Sequence, residues 1–281
     1  MTERFCDLHT HSIFSDGTFT PTELVAEAKR VGLSAIALTD HNTISGLSEL
    51  ISEGQVQGIE PIPGCEFSTD YEGIELHIVG LFISPSRFSA VGDFLEEGVR
   101  KKRENTLQLI EALRKGGMAL DYDEIRGKAG GEINRAHIAS ELFEKGYACS
   151  VEDAFKRFLE PKHGYYKKLK RVSSLETIGF IRSVGAVPIL AHPLLDLDEL
   201  ELRRFLPSAI DAGLCGIETD YTKFDESKRR ALRDIADSLG ICRSGGSDFH
   251  GARKPDVALG TGHGDLRVPY EYLTKIRDLA K

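Results

Sequence analysis

Two short alternating runs, Asp7-Leu8-His9-Thr10-His11 and Ser247-Asp248-Phe249-His250, stand near opposite ends of a 281-residue chain. An extended strand turns alternate side chains to one face. Each run therefore presents two metal-competent groups together: His9 with His11, and Asp248 with His250. Between them come Asp16, the pair Asp40-His41, Glu66 in Gly-Cys-Glu, His77 in Glu-Leu-His, and His192 in Ala-His-Pro. Mixed imidazole and carboxylate donors suit Mn, Fe or Zn better than a pure Mg site. Each residue alone has an ordinary structural reading. Asp16-Gly17 makes a turn, Asp40-His41-Asn42 caps a helix, and a single histidine satisfies a core. The set does not fit that reading, because six of the nine histidines fall at the ends of predicted strands. Turn chemistry has no need of this, whereas a multinuclear metal site does.

The elements that must carry these residues alternate. Phe5–Leu8, Ser34–Leu38, Ile59–Phe67 and Ile74–Ile83 read as strands. A helix over Pro21–Val31 has Thr20 as its cap, Pro21 in its first turn and Gly32 as its stop. A second helix is expected over Thr43–Gly54. From Ser86 to Glu160 the periodicity is helical. The alternation then resumes with strands at Ala186–Leu190, Cys215–Glu218 and Ile241–Ser244. Helices at Leu175–Val184, Leu197–Ala212, Ser227–Leu239 and Tyr270–Leu279 accompany them. Seven strands interleaved with helices predict βα units on a parallel sheet. Residues at the C-terminal ends of such strands converge on a barrel mouth.

Bulk properties narrow the function. At 41% hydrophobic residues the chain can bury one large domain, or one domain with an insert. The five scattered cysteines form no CxxC pair. With no secretory signal and no membrane-length apolar run, they read as reduced thiols of a cytoplasmic protein. A net charge of −8 disfavours a generic nucleic-acid coat. The charge is uneven: Arg100–Arg171 holds 17 of the 36 Lys and Arg but only 11 of the 44 Asp and Glu. That stretch reads either as solvated helix faces or as a cationic cover over an anionic substrate.

DLHTHS at Asp7–Ser12, SDG at Ser15–Gly17, TDHNT at Thr39–Thr43, PGCEFS at Pro63–Ser68, AHP at Ala191–Pro193 and GSDFH at Gly246–His250 follow in order. They resemble the motifs of the polymerase-and-histidinol-phosphatase (PHP) family of the amidohydrolase superfamily, over nearly the whole chain. Within it, ELHIVG at Glu75–Gly80, NRAHIA at Asn134–Ala139 and FLEPKHGYY at Phe158–Tyr166 are similar to the small bacterial phosphoesterases of nucleotides and short RNA.

The resemblance implies an α/β fold, a distorted (β/α)7 TIM-like barrel formed by residues 1–98 and 172–281. A helical insert after the fourth strand, residues 99–171, would cover the active site. It also implies three divalent ions, Mn foremost, with Fe, Zn or Mg as alternatives. By the resemblance, His9, His11, Glu66 and Asp248 would hold the first ion, Glu66, His77 and His192 the second, and Asp16, His41 and His250 the third. A water between the first two ions would attack phosphorus, and the third ion would offset the charge that develops. Glu66, Asp248 and His192 would then form the catalytic centre, with His137 a candidate general acid. Arg135, His137, Lys162 and Tyr165 are the expected substrate contacts. Ser12, Asp40 and Asn42 would tune the site from outside the ligand set. Relatives often read YVP where this chain continues Tyr165-Tyr166-Lys167-Lys168, which bears on substrate contacts and not on the chemistry.

The expected reaction removes a phosphate from a small nucleotide such as a 3′,5′-bisphosphate, or cleaves short RNA from the 5′ end. No stable duplex nucleic acid and no membrane are expected as partners. A histidinol-phosphate phosphatase and a non-catalytic metal-binding regulatory module are the competing readings.

Overall fold

The structure, a computed structural model, describes residues 3–129, 133, 135–166 and 172–280, without the side chain of Lys102. In chain order the elements are β1 (Phe5–Asp7), α1 (Pro21–Arg30), β2 (Ala35–Leu38), α2 (Leu47–Gln57), β3 (Glu60–Tyr71), β4 (Ile74–Leu81), α3 (Phe88–Lys115), α4 (Tyr122–Ala129), α5 (Arg135–Glu144) and α6 (Val151–Ala154). Then come α7 (Ser174–Ser183), β5 (Val187–Leu190), α8 (Glu199–Asp211), β6 (Gly216–Tyr221), α9 (Glu226–Leu239), β7 (Cys242–Gly246), β8 (Val268–Pro269) and α10 (Tyr270–Arg277). They divide into two compact units, one reaching to Leu95 and resuming at Val172, the other beginning at Glu96. Among the described residues no helix is long and apolar enough to cross a membrane.

The first unit is a nearly closed barrel. Its strands run in the order β7-β6-β5-β4-β3-β2-β1-β8. The segment after β1 meets β7 and the residues that follow it through Leu8 N–H to Gly245 O at 3.2 Å and Asp248 N–H to His9 O at 2.9 Å. Short apolar strands suit this arrangement because both faces are covered. Cys6, Ala35, Ala37, Val79, Leu81, Val187 and Ile189 form one buried cluster with Leu266 and Val268. The alternate residues Ile36 and Leu38 of β2 pack with Leu24, Val25 and Ala28 of α1 and with Leu47 and Leu50 of α2. Thr20 and Glu23 close a reciprocal capping box at the start of α1, with Pro21 in the first turn.

Two sequence expectations need correction. The sheet is not wholly parallel: β4 runs antiparallel to both β3 and β5, and β8 pairs antiparallel with β1. The cause at β4 is a two-residue hairpin. Tyr71 pairs with Ile74, and the intervening Glu72 and Gly73 both take positive φ, 51° and 88°. That backbone twist matches the twist of paired strands. The second helix starts at Leu47, not Thr43. There Asn42 turns at φ 51°, and the Thr43 hydroxyl accepts the Ser45 N–H at 3.2 Å in a local turn.

The second unit has its own core, in which Leu109, Ile110 and Leu113 of α3 pack with Ile125 of α4, Ile138 and Leu142 of α5, and Leu159. The buried Glu141 carboxylate accepts from Lys128 Nζ at 2.6 Å and faces Lys145 Nζ at 3.3 Å. Burial of that carboxylate without such partners would be costly.

Candidate metal centre

The segment after β1 delivers His9 and His11 into the barrel mouth. It pairs with the segment after β7: Phe249 O accepts the His11 N–H at 2.9 Å, and Thr10 bridges Phe249 in parallel. The two alternating motifs are thereby laid side by side. Close approach is enforced at Gly246, where a Cβ would fall 2.4 Å from the His9 Cβ. Asp7, fully buried, accepts the backbone N–H groups of Ser247 at 2.9 Å, Gly260 at 2.8 Å and His9 at 3.3 Å.

The β2 end positions the next ligands. Asp40 accepts the Ser12 N–H at 2.7 Å, the Ser12 hydroxyl at 2.6 Å and the Ser15 hydroxyl at 2.5 Å. It thus ties down the loop that carries Asp16. Asn42 donates its amide to Ser68 Oγ and accepts the Ser68 N–H, locking the His41 segment to β3 beside Glu66. Ser12, Asp40 and Asn42 thus hold together the segments that carry Asp16, His41 and Glu66.

Glu66 lies at the middle, 1% exposed. Its Oε2 is 3.2 Å from His9 Nε2, 3.3 Å from His11 Nε2 and 3.0 Å from His41 Nδ1. Its Oε1 is 2.8 Å from His77 Nδ1 and 3.1 Å from His192 Nε2. Asp248 Oδ1 stands 3.3 Å from His11 Nε2 and 3.4 Å from His250 Nδ1. Its Oδ2 accepts from the Tyr221 hydroxyl at 2.8 Å and from Lys254 Nζ at 2.7 Å. Asp16 Oδ1 is 3.2 Å from His250 Nε2 and 3.7 Å from His11 Nδ1.

All nine expected ligands are therefore gathered. They fall into four overlapping groups whose donor atoms lie within 4.8 Å of one another: His11, Asp16, His41 and His250; His9, Glu66 and His192; His9, His11 and Asp248; His41, Glu66 and His77. Among the described residues, His9 Nε2, His11 Nε2, His41 Nδ1, Glu66 Oε2 and His192 Nδ1 are buried with no hydrogen-bond partner. Each such orphan costs about 1–3 kcal/mol. Orphaned donors of this chemistry, three of them converging on Glu66 Oε2, fit divalent cations.

The electrostatics agree. Burial alone would raise the pKa of Glu66, yet the surrounding His9, His77 and His41 hold it well below the usual carboxylate range. Burial likewise opposes ionisation of Asp248, but the His11 hydrogen bond and the charge of His9 keep it low. Burial would lower His77 and His192, but carboxylates outweigh it. Glu66 drives His77 to about 10, and Asp196 with Glu66 drives His192 to about 9. The pocket is one that stabilises added positive charge.

Three groups escaped the sequence reading. Tyr221 and Lys254 hold the far oxygen of Asp248, and Glu218 of β6 lies 2.9 Å from His9 Nδ1. An acidic residue closing the otherwise apolar Cys215–Glu218 run was the available signal for Glu218. The expected substrate contacts stand in the second unit. Arg135, with His137 in the same first turn of α5, has its guanidinium 4.6 Å from the Tyr166 ring centroid. Lys162 pairs with Glu160 at 2.5 Å, and Tyr165 lies edge-on to Phe158. Lys167 and Lys168 fall outside the described residues.

The chain is similar to known proteins. Residues 7–171 match the PHP domain. A 5′-3′ exoribonuclease of Haemophilus influenzae is 33% identical over 251 residues, 89% of this chain and 91% of that protein. A 3′,5′-nucleoside bisphosphate phosphatase of Chromobacterium violaceum is 32% identical, covering 87% of this chain and 86% of its own length. Among solved structures, a predicted metal-dependent phosphoesterase from Bifidobacterium adolescentis superposes with a TM-score of 0.72 at 26% identity, covering 99% of this chain and 97% of that one. A Chromobacterium violaceum amidohydrolase with bound sulfate reaches 0.71 at 28% identity, covering 96% of each. The chain belongs to the PHP domain family of phosphoesterases.

Proposed function

We propose that the chain hydrolyses a phosphate ester of a small nucleotide, such as a nucleoside 3′,5′-bisphosphate, or of short RNA taken from the 5′ end, at a centre of three divalent ions. The observation that carries this reading is the convergence of orphaned, buried donor atoms on Glu66. Bound divalent ions supply an activated water and offset the charge on the phosphate. His9, His11, Glu66 and Asp248 would hold the first, Glu66, His77 and His192 the second, and Asp16, His41 and His250 the third. Manganese is the ion we favour for this mixed donor set. Glu66 would be shared by the first and second, and Tyr221 and Lys254 would orient Asp248. His137 is the candidate for protonating the leaving oxygen.

The substrate class is supported by the relatives named for nucleoside bisphosphates and RNA. A second phosphate needs a cation of its own, and Arg135 is the leading candidate, ahead of His137, Lys162 and Tyr165. A guanidinium held against aromatic rings, as Arg135 is against Tyr166 and Phe155, still presents a planar fork of N–H donors suited to phosphate. The five cysteines are free thiols, which fits a reducing cytoplasm.

The test is phosphate release across nucleoside 3′,5′-bisphosphates, short RNA, histidinol phosphate and an aryl phosphate. The nucleotide substrates should give the highest kcat/KM, and a preference for histidinol phosphate would overturn the reading. Arg135→Ala should cost about 1–3 kcal/mol on the bisphosphate and little on the aryl phosphate. Equal losses would move Arg135 to the reacting phosphate.

A further inference from the structure

Glu218 sits within β6, 2% exposed, and uses both carboxylate oxygens as acceptors at once. Oε1 lies 2.9 Å from His9 Nδ1, and Oε2 accepts the His192 backbone N–H at 2.7 Å. We propose that Glu218 is a positioning residue that fixes the tautomer of His9 and the backbone turn of His192, and so sets the affinity of the centre for divalent ions. The proposal rests on the metal-binding reading above.

The argument is one of donors and acceptors. An ionised carboxylate can only accept, so His9 must present Nδ1–H to it. The ring's lone pair is then on Nε2, the buried atom without a hydrogen-bond partner that faces Glu66 at 3.2 Å. A histidine ligand is commonly set in this way by a carboxylate on its other nitrogen. His192 is held at φ 28° and ψ 51°, a backbone region that residues other than glycine rarely adopt. The bond from its N–H to Glu218 fastens that turn, and the turn brings His192 Nε2 to 3.1 Å from Glu66 Oε1. One side chain thus governs ligands from two different segments.

Glu218→Gln keeps the size but offers one acceptor and one donor. If the amide oxygen stays on the His192 N–H, the amide NH2 faces His9 Nδ1. His9 must then accept there and carry its proton on Nε2, where no ion can bind. In the other orientation the NH2 opposes the His192 N–H and the turn loses its tether. Glu218→Asp keeps both acceptors on an arm one methylene shorter.

Metal-free protein is titrated with Mn2+, the free ion being read by electron paramagnetic resonance, and the metal-free fold is checked by circular dichroism. Affinity should fall roughly 10- to 100-fold in E218Q, with E218D between it and wild type and all three spectra alike. E218Q binding Mn2+ as tightly as wild type, or E218D no tighter than E218Q, overturns the role of Glu218. If E218Q does not fold, E218D decides: weaker binding with a native spectrum supports the proposal, and unchanged binding overturns it. A wild-type protein that takes up no Mn2+ sinks the metal reading and this proposal together, a pattern distinct from the others.

Discussion

Glu66 faces nitrogen atoms of His9, His11, His41, His77 and His192, all within 3.3 Å of one or other of its oxygens. Asp16 stands at the rim, its side chain 44% exposed. The difference predicts a hierarchy. Glu66→Ala should lower turnover by roughly a thousand-fold or more, the scale of several kcal/mol that a metal-activated nucleophile contributes, and should reduce bound metal. Asp16→Ala should be milder in both respects. Phosphate release together with elemental analysis checks this, and an E66A protein with full metal and normal turnover would move the bridge elsewhere. The expected ligands were legible because their types recur on or just beyond candidate strands, and two pairs, His9 with His11 and Asp248 with His250, alternate in the segments that follow β1 and β7. Tyr221 and Lys254 were not legible, and Glu218 only by its acidity at the close of an apolar run. Tyr221 and Glu218 act on residues remote in sequence, as Glu218 does on His9, and nothing local separates Tyr221 and Lys254 from an ordinary tyrosine or a surface lysine.

The β1 and β7 ends close the barrel and also bring His9 beside Asp248, so packing there is part of the site. Gly246→Ala places a methyl 2.4 Å from the His9 Cβ and 2.6 Å from the His9 backbone nitrogen, and backbone cannot yield as a side chain can. The metal-free protein should lose about 1–3 kcal/mol, as in overpacked cores. Gly92→Ala, within α3 and with nothing inside 4 Å, should instead gain roughly 0.5–1 kcal/mol from helix propensity. Thermal unfolding of the two variants should shift in opposite directions, and a neutral Gly246→Ala would mean that the closure is looser than its geometry. Apolar runs and caps made most strands and α1 readable. The direction of β4 was not, because Glu72-Gly73 is a less telling hairpin pair than Asn-Gly or Asp-Gly. That hairpin matters for chemistry, since it sets His77 across from Ser68 and two residues from the Val79–Glu66 pair. The start of α2 was missed for a related reason: the Thr43–Ser45 turn competes with the helix for the same polar side chains.

Over the whole molecule, protons and divalent ions compete for one acidic pocket in a chain of net charge −8. In the metal-free protein, His77 is raised from 6.5 to about 10 and His192 from 6.5 to about 9. A raised histidine pKa contributes stability that is fully present below its unfolded value and is lost as pH climbs through the folded value. These two groups therefore make the metal-free protein less stable between about pH 6.5 and 10 as pH increases. Metal ligation requires the neutral imidazole, so binding displaces those protons and strengthens as pH increases across the same window. Glu66 and Asp248, held low, stay ionised throughout it. The difference between the unfolding midpoints of Mn2+-saturated and chelator-treated protein should accordingly widen from pH 6.5 to 9. Taking the difference cancels groups remote from the pocket, which titrate alike in both forms. In His77→Gln one of the displaced protons is gone, so the widening should be smaller. A gap that stays constant or narrows over that range would show that the histidines are already neutral before metal arrives, and that the carboxylates alone draw the cations in.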